Sequence, residues 1–224
     1  MRTDPPAEKP RVLRRARLSD QVFDWVLESI RGGVYGPDDL ITEPSLATAL
    51  ETSRTPIREA LFRLVGNGIL TERGRGYCLP LLSRDEVADM FHTRLLVESD
   101  ILRHLPATPD VRALKQASRE EHDAIRADAP RDFIAANTRF RRALFDLCPN
   151  RFLTELADHC NDRMQAYRSV TLAEAANRAA VAQAHAEVVE ALAQRDRDGA
   201  ARLYLETLDR AQAAYAVVAE KGRT

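Results

Sequence analysis

A chain of 224 residues, 45% hydrophobic and 30% charged, has enough apolar surface for two small domains, and its formal charge of −1 does not exclude a nucleic-acid partner, which needs only local positive potential. No apolar run approaches the ~18 residues of a membrane span, and the opening MRTDPPAEKP lacks the apolar centre of a secretion signal, so a cytoplasmic protein is expected. Cys78, Cys148 and Cys160 are odd in number and show no CxxC spacing, which argues against a disulfide scaffold or zinc knuckle and for reduced thiols.

Residues 1–17 hold Arg2, Lys9, Arg11, Arg14, Arg15 and Arg17 against Asp4 and Glu8, a net of +4, together with Pro5, Pro6 and Pro10. This reads as a disordered basic tail that keeps the chain soluble; following a DNA groove is the alternative role. Leu18, Val22, Trp25, Val26 and Ile30 recur at the helical period, which predicts a helix over 18–31 ended by Gly32-Gly33, with Trp25 in the core.

After a turn-rich connector, Glu43–Leu50 reads as a short helix with Pro44 at its start. Ser53 is placed to cap a second helix whose first turn holds Pro56. Its apolar stripe is Ile57, Ala60, Leu61, Leu64 and Val65, while Arg54, Thr55, Arg58 and Arg63 lie off it. Gly66 and Gly68 stop that helix, Ile69–Thr71 reads as a strand, and Gly74-Arg75-Gly76 turns the chain into a second strand over Tyr77–Leu81. Helix, tight turn, helix and hairpin make a winged helix-turn-helix over residues 18–82.

Such a motif lays its second helix in the DNA major groove with N-terminal side chains at the base edges. Arg54, Thr55 and Arg58 sit at that end, and Arg63, Arg75 and Gly76 complete the candidate DNA-binding set. The fork of an arginine can take guanine O6 and N7 together or clamp a phosphate. Across residues 53–77, Arg54, Arg58, Arg63, Arg73 and Arg75 stand against Glu59 and Glu72, a local net of +3. Any one of these arginines is equally well an ordinary surface residue; the ordered constellation carries the inference.

These residues resemble the GntR-type bacterial transcription regulators. The resemblance runs from about Leu18 to Leu82 and includes PDDLITE (37–43), SRTPIREAL (53–61) and GNGIL (66–70). It departs at Asp38, where a glycine is usual, and at Glu51-Thr52, where the turn usually has Gly-Val. Loss of that glycine bears on the turn geometry.

Ser83-Arg84-Asp85-Glu86 forms a capping box that opens a second domain, residues 83–220. Six helical segments are predicted, over 85–105, 110–127, 131–147, 150–169, 173–194 and 197–220, an all-helical bundle. Polar residues interrupt its apolar stripes. Asn137 and Arg141 share a face with Phe133, Phe140 and Leu144; His185 lies among Val181, Val188 and Leu192, and Thr207 among Ala200, Leu203 and Ala211. An arginine in such an interior needs a partner, either a carboxylate of the protein or a ligand. Arg94 and Glu98, at i and i+4, supply that internal pairing or pair with each other. His185 alone reads as a satisfied core histidine, but with Asn137, Arg141 and Thr207 as part of a site.

Residues from about Asp85 to Val218 resemble the FCD effector domain of the FadR-type branch of the same family, anchored by Arg94, Glu98, NTRFRRAL (137–144), Asn150 and the stretch from His185 to Asp196. Six helices suggest the shorter, VanR-like variant. The resemblance implies an all-helical domain that binds a small effector and, in many members, a divalent metal. The matching metal-ligand positions are Asn137, Arg141, His185 and Thr207, of which only His185 keeps the usual ligand, so no metal cofactor is expected. His122, His159 and His185 rebuilding such a site is the alternative.

The expected fold is thus mainly α, a winged helix-turn-helix followed by an effector-binding bundle. The expected function is a homodimeric, ligand-responsive transcription regulator of palindromic operator DNA. It is expected to be a repressor released by a carboxylate-type metabolite held by Arg94, Asn137, Arg141, His185 and Thr207. Activation is the other mode. A regulator or architectural protein without an effector is a rival that Arg141 buried against a carboxylate would favour. A helical-bundle enzyme is a second rival, opposed by the lack of GxSxG, HExxH or paired catalytic carboxylates.

Overall fold

The computed structural model describes residues 13–221, with side chains described for 18–215. They form two compact units, one from the residues up to Glu28 with Leu40–Cys78, the other from Ser29–Asp39 with the chain from Leu79 onward.

Helix α1 (Leu13–Arg31), whose last three residues belong to the second unit, begins before the predicted Leu18, so the end of the segment read as a tail is helical. The remainder of that tail, residues 1–12, lies outside the described residues. Val22 and Val26 are buried as expected, but Trp25 is 42% exposed. It stands one residue, about 100° of helix turn, from Val26 and therefore at the rim of the stripe.

Helix α2 (Glu43–Ala49) starts with a capping box the sequence reading did not include: Ser45 N–H donates to Thr42 Oγ1 at 3.2 Å, and Thr42 N–H to Ser45 Oγ at 3.3 Å. Helix α3 (Arg54–Gly66) follows, with Ser53 at its N-cap position but making no side-chain capping bond. The cause is local. A capping oxygen accepts from the second or third helical N–H, and the third residue is Pro56, which has none. The turn between these helices forms without a glycine because Glu51 itself adopts φ 47°, with Thr52 N–H donating to Ala47 O at 3.2 Å.

The wing is shorter than predicted, β1 (Thr71–Arg73) paired antiparallel with β2 (Gly76–Cys78). Ile69 and Leu70 do not pair because their N–H groups close α3 on Leu64 O, at 3.0 and 3.3 Å. The outer edge of β2 is covered by the connector, where Ile41 and Tyr77 exchange two backbone bonds of 2.8 Å.

The second unit is built of α4 (Arg84–Arg103), α5 (Arg112–Arg126), α6 (Pro130–Phe145), α7 (Arg151–Arg163), α8 (Gln165–Thr171), α9 (Ala175–Ala193) and α10 (Arg197–Lys221). The Ser83 capping box is present, with Ser83 N–H donating to Glu86 Oε2 at 2.8 Å. Among the described residues seven helices stand where six were predicted, because the segment 150–169 breaks at Met164, where φ is −93° and ψ 9°. Neither proline nor glycine marks that break. The count of seven removes the ground for expecting the six-helix, VanR-like variant.

Helix α8 ends under side-chain control. Asn177 Nδ2 donates to Thr171 O at 2.8 Å, and Arg178 Nη1 to Leu172 O and Ala173 O at 3.0 and 2.7 Å. The main core gathers Ile101, Leu114, Phe140, Leu144, Leu192 and Tyr204, each at most 1% exposed. Two smaller clusters flank it, one around Phe91, Met164 and Tyr167, the other around Phe133, Ile134 and Leu172. Cys78, Cys148 and Cys160 are buried free thiols.

Candidate functional site

On the winged unit the expected DNA-binding residues separate into two groups. Arg54 and Thr55, at the start of α3, and Arg75, on the wing turn, are exposed. Arg58 is 67% exposed, and its fork lies bidentate on Glu43 of α2, with Nε and Nη2 each 2.8 Å from an oxygen. That hydrogen bonding holds the Glu43 carboxyl below its usual range. Glu43 also lines an open recess with Pro44, Arg75 and Tyr77, so the wing arginine stands on the side of the Arg58 pair.

Arg63 and Gly76 also have a part in the fold. Arg63 donates to Asp20 of α1 at 2.5 Å and stacks over the Phe23 ring at 4.5 Å, so α1 takes its charge. Gly76 is buried, and a Cβ there would meet Ile41 O at 2.7 Å. Its bare backbone is what lets the connector close on the wing.

In the second unit, Arg94, Asn137, Arg141, His185 and Thr207, drawn from α4, α6, α9 and α10, all line one cavity that opens to solvent. It is lined as well by Met164, Tyr167 and Arg168, and its mouth continues into a second hollow walled by Leu172, Ala180, Val181, Ala211 and Ala214. All five residues are at most 7% exposed.

Their partners show what each is held to do. Arg141 Nη2 donates to both oxygens of Glu98 at 2.8 Å, and its Nε to Asn161 Oδ1 at 2.9 Å. Its guanidinium also lies 5.5 Å from the Tyr204 ring centre. Glu98, 0% exposed, further accepts from Arg94 Nε and from the Tyr204 hydroxyl, each at 2.8 Å. Burial alone would raise the Glu98 pKa, but the charges of Arg141 and Arg94 outweigh it and the net shift is downward. Arg141, expected to be the cation that meets a ligand, is therefore already engaged by a carboxylate of the protein.

His185 Nδ1 lies 2.9 Å from Glu121 Oε1, and Asn137 Nδ2 donates to the same oxygen at 3.2 Å. A carboxylate accepts, so His185 meets it through the N–H at Nδ1. The ring stacks on Phe140 at 3.8 Å. Thr207 turns its hydroxyl back onto Tyr204 O at 2.6 Å.

This set does not fit a divalent ion. A guanidinium has no free lone pair and repels a cation, and Thr207 and the amide nitrogen of Asn137 are turned to other partners. His122 bonds Ser118 O of its own helix at 2.8 Å, His159 is exposed, and neither lines the cavity with His185. Among the described residues no group of three His, Cys, Asp or Glu side chains is placed to hold a metal.

Two contributors were not part of the sequence reading. Glu121, 0% exposed, orients His185 and Asn137, and its signal was a charged residue in register with Leu114, Ala117 and Ala124. Arg168, 7% exposed, lines the cavity in register with Met164 and Thr171. Reading 150–169 as one helix carries the wrong phase through the break at Met164 and hides it.

Comparison with known proteins agrees with both halves. The family model "Bacterial regulatory proteins, gntR family" matches residues 18–78, and the model "FCD domain" matches residues 89–210. An uncharacterized HTH-type transcriptional regulator, YdhC of Bacillus subtilis (strain 168), is 24% identical over 185 residues, 80% of this chain and 83% of YdhC. Two solved structures share the fold at 20% identity. A putative GntR transcriptional regulator from Rhodococcus sp. RHA1 has a TM-score of 0.74, covering 90% of this chain and 96% of its own. E. coli McbR/YncC has a TM-score of 0.73, with 92% and 99% covered. A winged helix-turn-helix with an exposed arginine-bearing helix start, joined in one chain to a helical unit with a buried polar cavity, thus belongs to the GntR family of transcription regulators and carries an FCD effector-binding domain.

Proposed function

We propose that this chain is a cytoplasmic, homodimeric repressor that binds a palindromic operator through α3 and the wing and leaves it when a small anionic metabolite enters the FCD cavity. The observation that carries the reading is the convergence of Arg94, Asn137, Arg141, His185 and Thr207, from four helices, on one buried cavity. Two-fold symmetry follows from the short reach of one recognition helix, which reads too few bases alone for specificity in a genome. Leu96, Phe152 and Leu156 support a dimer, since they leave apolar side chains exposed on α4 and α7, which pack together. No helix of the described residues is long and apolar enough to cross a membrane. The reading assigns the chain no catalytic step.

Arg141 buried against Glu98 meets the condition that favours the effector-free alternative, so Arg141 is no argument for a ligand. The case rests on the cavity and on the positive charge that Glu98 leaves unbalanced in it. The test is fluorescence anisotropy with DNA from upstream of the protein's own gene, titrated with a broad metabolite set in the presence and absence of EDTA. Release by a subset of anions, insensitive to EDTA, is expected. Binding that no metabolite alters would make the chain an effector-free DNA-binding protein.

A further inference from the structure

Three buried guanidinium groups line the cavity, those of Arg94, Arg141 and Arg168, and one carboxylate, Glu98, serves two of them. Arg168 has only neutral acceptors: Nη1 donates to Gln165 Oε1 and Nη2 to Asn161 Oδ1 at 3.3 Å. Among the described residues no carboxylate comes within ion-pair distance of it. Arg94 gives Glu98 only its Nε, and its two terminal nitrogens bond nothing among the described residues. Burial first, then repulsion from Arg141 and Arg94, pull the Arg168 pKa down to about 9; Asp162, which lines a neighbouring recess with Arg168, attracts it but is itself held by the Arg31 fork, so at neutral pH the charge is present and only partly compensated. A buried cation in that condition needs an anion.

The geometry points to Arg168, with the free end of Arg94, as the receptor for the carboxylate of an amphiphilic anion whose apolar body lies along Leu172, Val181, Ala211 and Ala214. This rests on the reading of the cavity as the effector site and names the ligand class for it. The polar end and the apolar hollow share Leu172, Val181 and Ala211, so one molecule with a charged head and a short hydrocarbon body spans both. Arg141 holds the site together through Glu98 and is not the receptor. A guanidinium fork and a carboxylate make the paired, charge-assisted bonds that the neutral amides of Gln165 and Asn161 do not.

The experiment is thermal shift of the full-length protein with butanoate, hexanoate, octanoate and benzoate, each beside its neutral amide, on wild type and Arg168→Met. The wild type is expected to rise in melting temperature with at least one acid and not with its amide. Arg168→Met should need at least tenfold more of that acid for the same shift. Should Arg168→Met not fold, Arg168→Lys, which keeps the charge and loses the fork, carries the test: at least threefold weakening supports the assignment and an unchanged response overturns it. Equal responses of wild type and Arg168→Met, or of acid and amide, overturn the proposal while leaving the cavity an effector site. A wild type that no acid stabilises overturns it too, and the metabolite titration on operator DNA then decides the broader reading by itself.

Discussion

Arg141 Nη2 reaches both oxygens of Glu98 at 2.8 Å, joining residues 43 positions apart in the chain inside the second unit. Removing the carboxylate leaves Arg94 and Arg141 buried without a counter-charge. Glu98→Gln should therefore destabilise the protein by about 3–5 kcal/mol in urea melts at pH 7. The folded pKa of Glu98 lies below its unfolded value, near 4.5, so its contribution is whole above that pH and is lost as pH falls through the folded value. The variant should show a flatter acid limb of stability; an unchanged limb would assign acid sensitivity elsewhere.

Arg168→Met should have the opposite sign. The folded pKa of Arg168, about 9, lies below the ordinary 12.5, so the unfolded chain binds the proton more tightly and stability gains as pH rises between those values. At pH 7 the charge is carried at full cost. Replacing it with a side chain of similar length should stabilise the ligand-free protein by ~1–4 kcal/mol. A destabilised variant would mean that Gln165 and Asn161 compensate the charge well.

Arg58→Ala should weaken operator binding by ~1–3 kcal/mol at fixed salt, with melting temperature nearly unchanged because the side chain is exposed. Part of the loss should come from Glu43, whose carboxylate then faces phosphate unpaired. The double variant Glu43→Ala/Arg58→Ala should accordingly bind more tightly than Arg58→Ala alone. Arg63→Ala, by contrast, should lower stability by up to about 1 kcal/mol through loss of the Asp20 and Phe23 contacts. Wild-type affinity in Arg58→Ala would remove the start of α3 from the DNA interface.

Glu51 holds a left-handed backbone, φ 47°, in the turn between α2 and α3. A side chain there costs about 1 kcal/mol more than glycine, partly offset by the extra freedom glycine gives the unfolded chain. Glu51→Gly should raise stability by up to ~0.5 kcal/mol in denaturant titration. A loss of stability would show that the Glu51 side chain makes a compensating contact.

The amino-acid sequence by itself determined the order of elements, and for a local reason. Caps, prolines in first turns, glycine stops and the helical period act over a few residues, so the Ser83 capping box, the two helices of the winged unit and the Gly66-to-Gly68 stop are legible without a fold. The same period placed Asn137, Arg141, His185 and Thr207 on inward faces, and the structure brings them to one cavity with Arg94. Tertiary structure alone decided which cation there has no carboxylate at ion-pair distance. That is a balance among side chains from different helices, and Arg141 is paired with Glu98 across 43 positions while Arg168 hydrogen-bonds only to amides. The turn of Arg63 onto α1 and the approach of Ile41 to Gly76 were out of reach for the same reason, since each is set by a neighbour that the chain brings close only on folding.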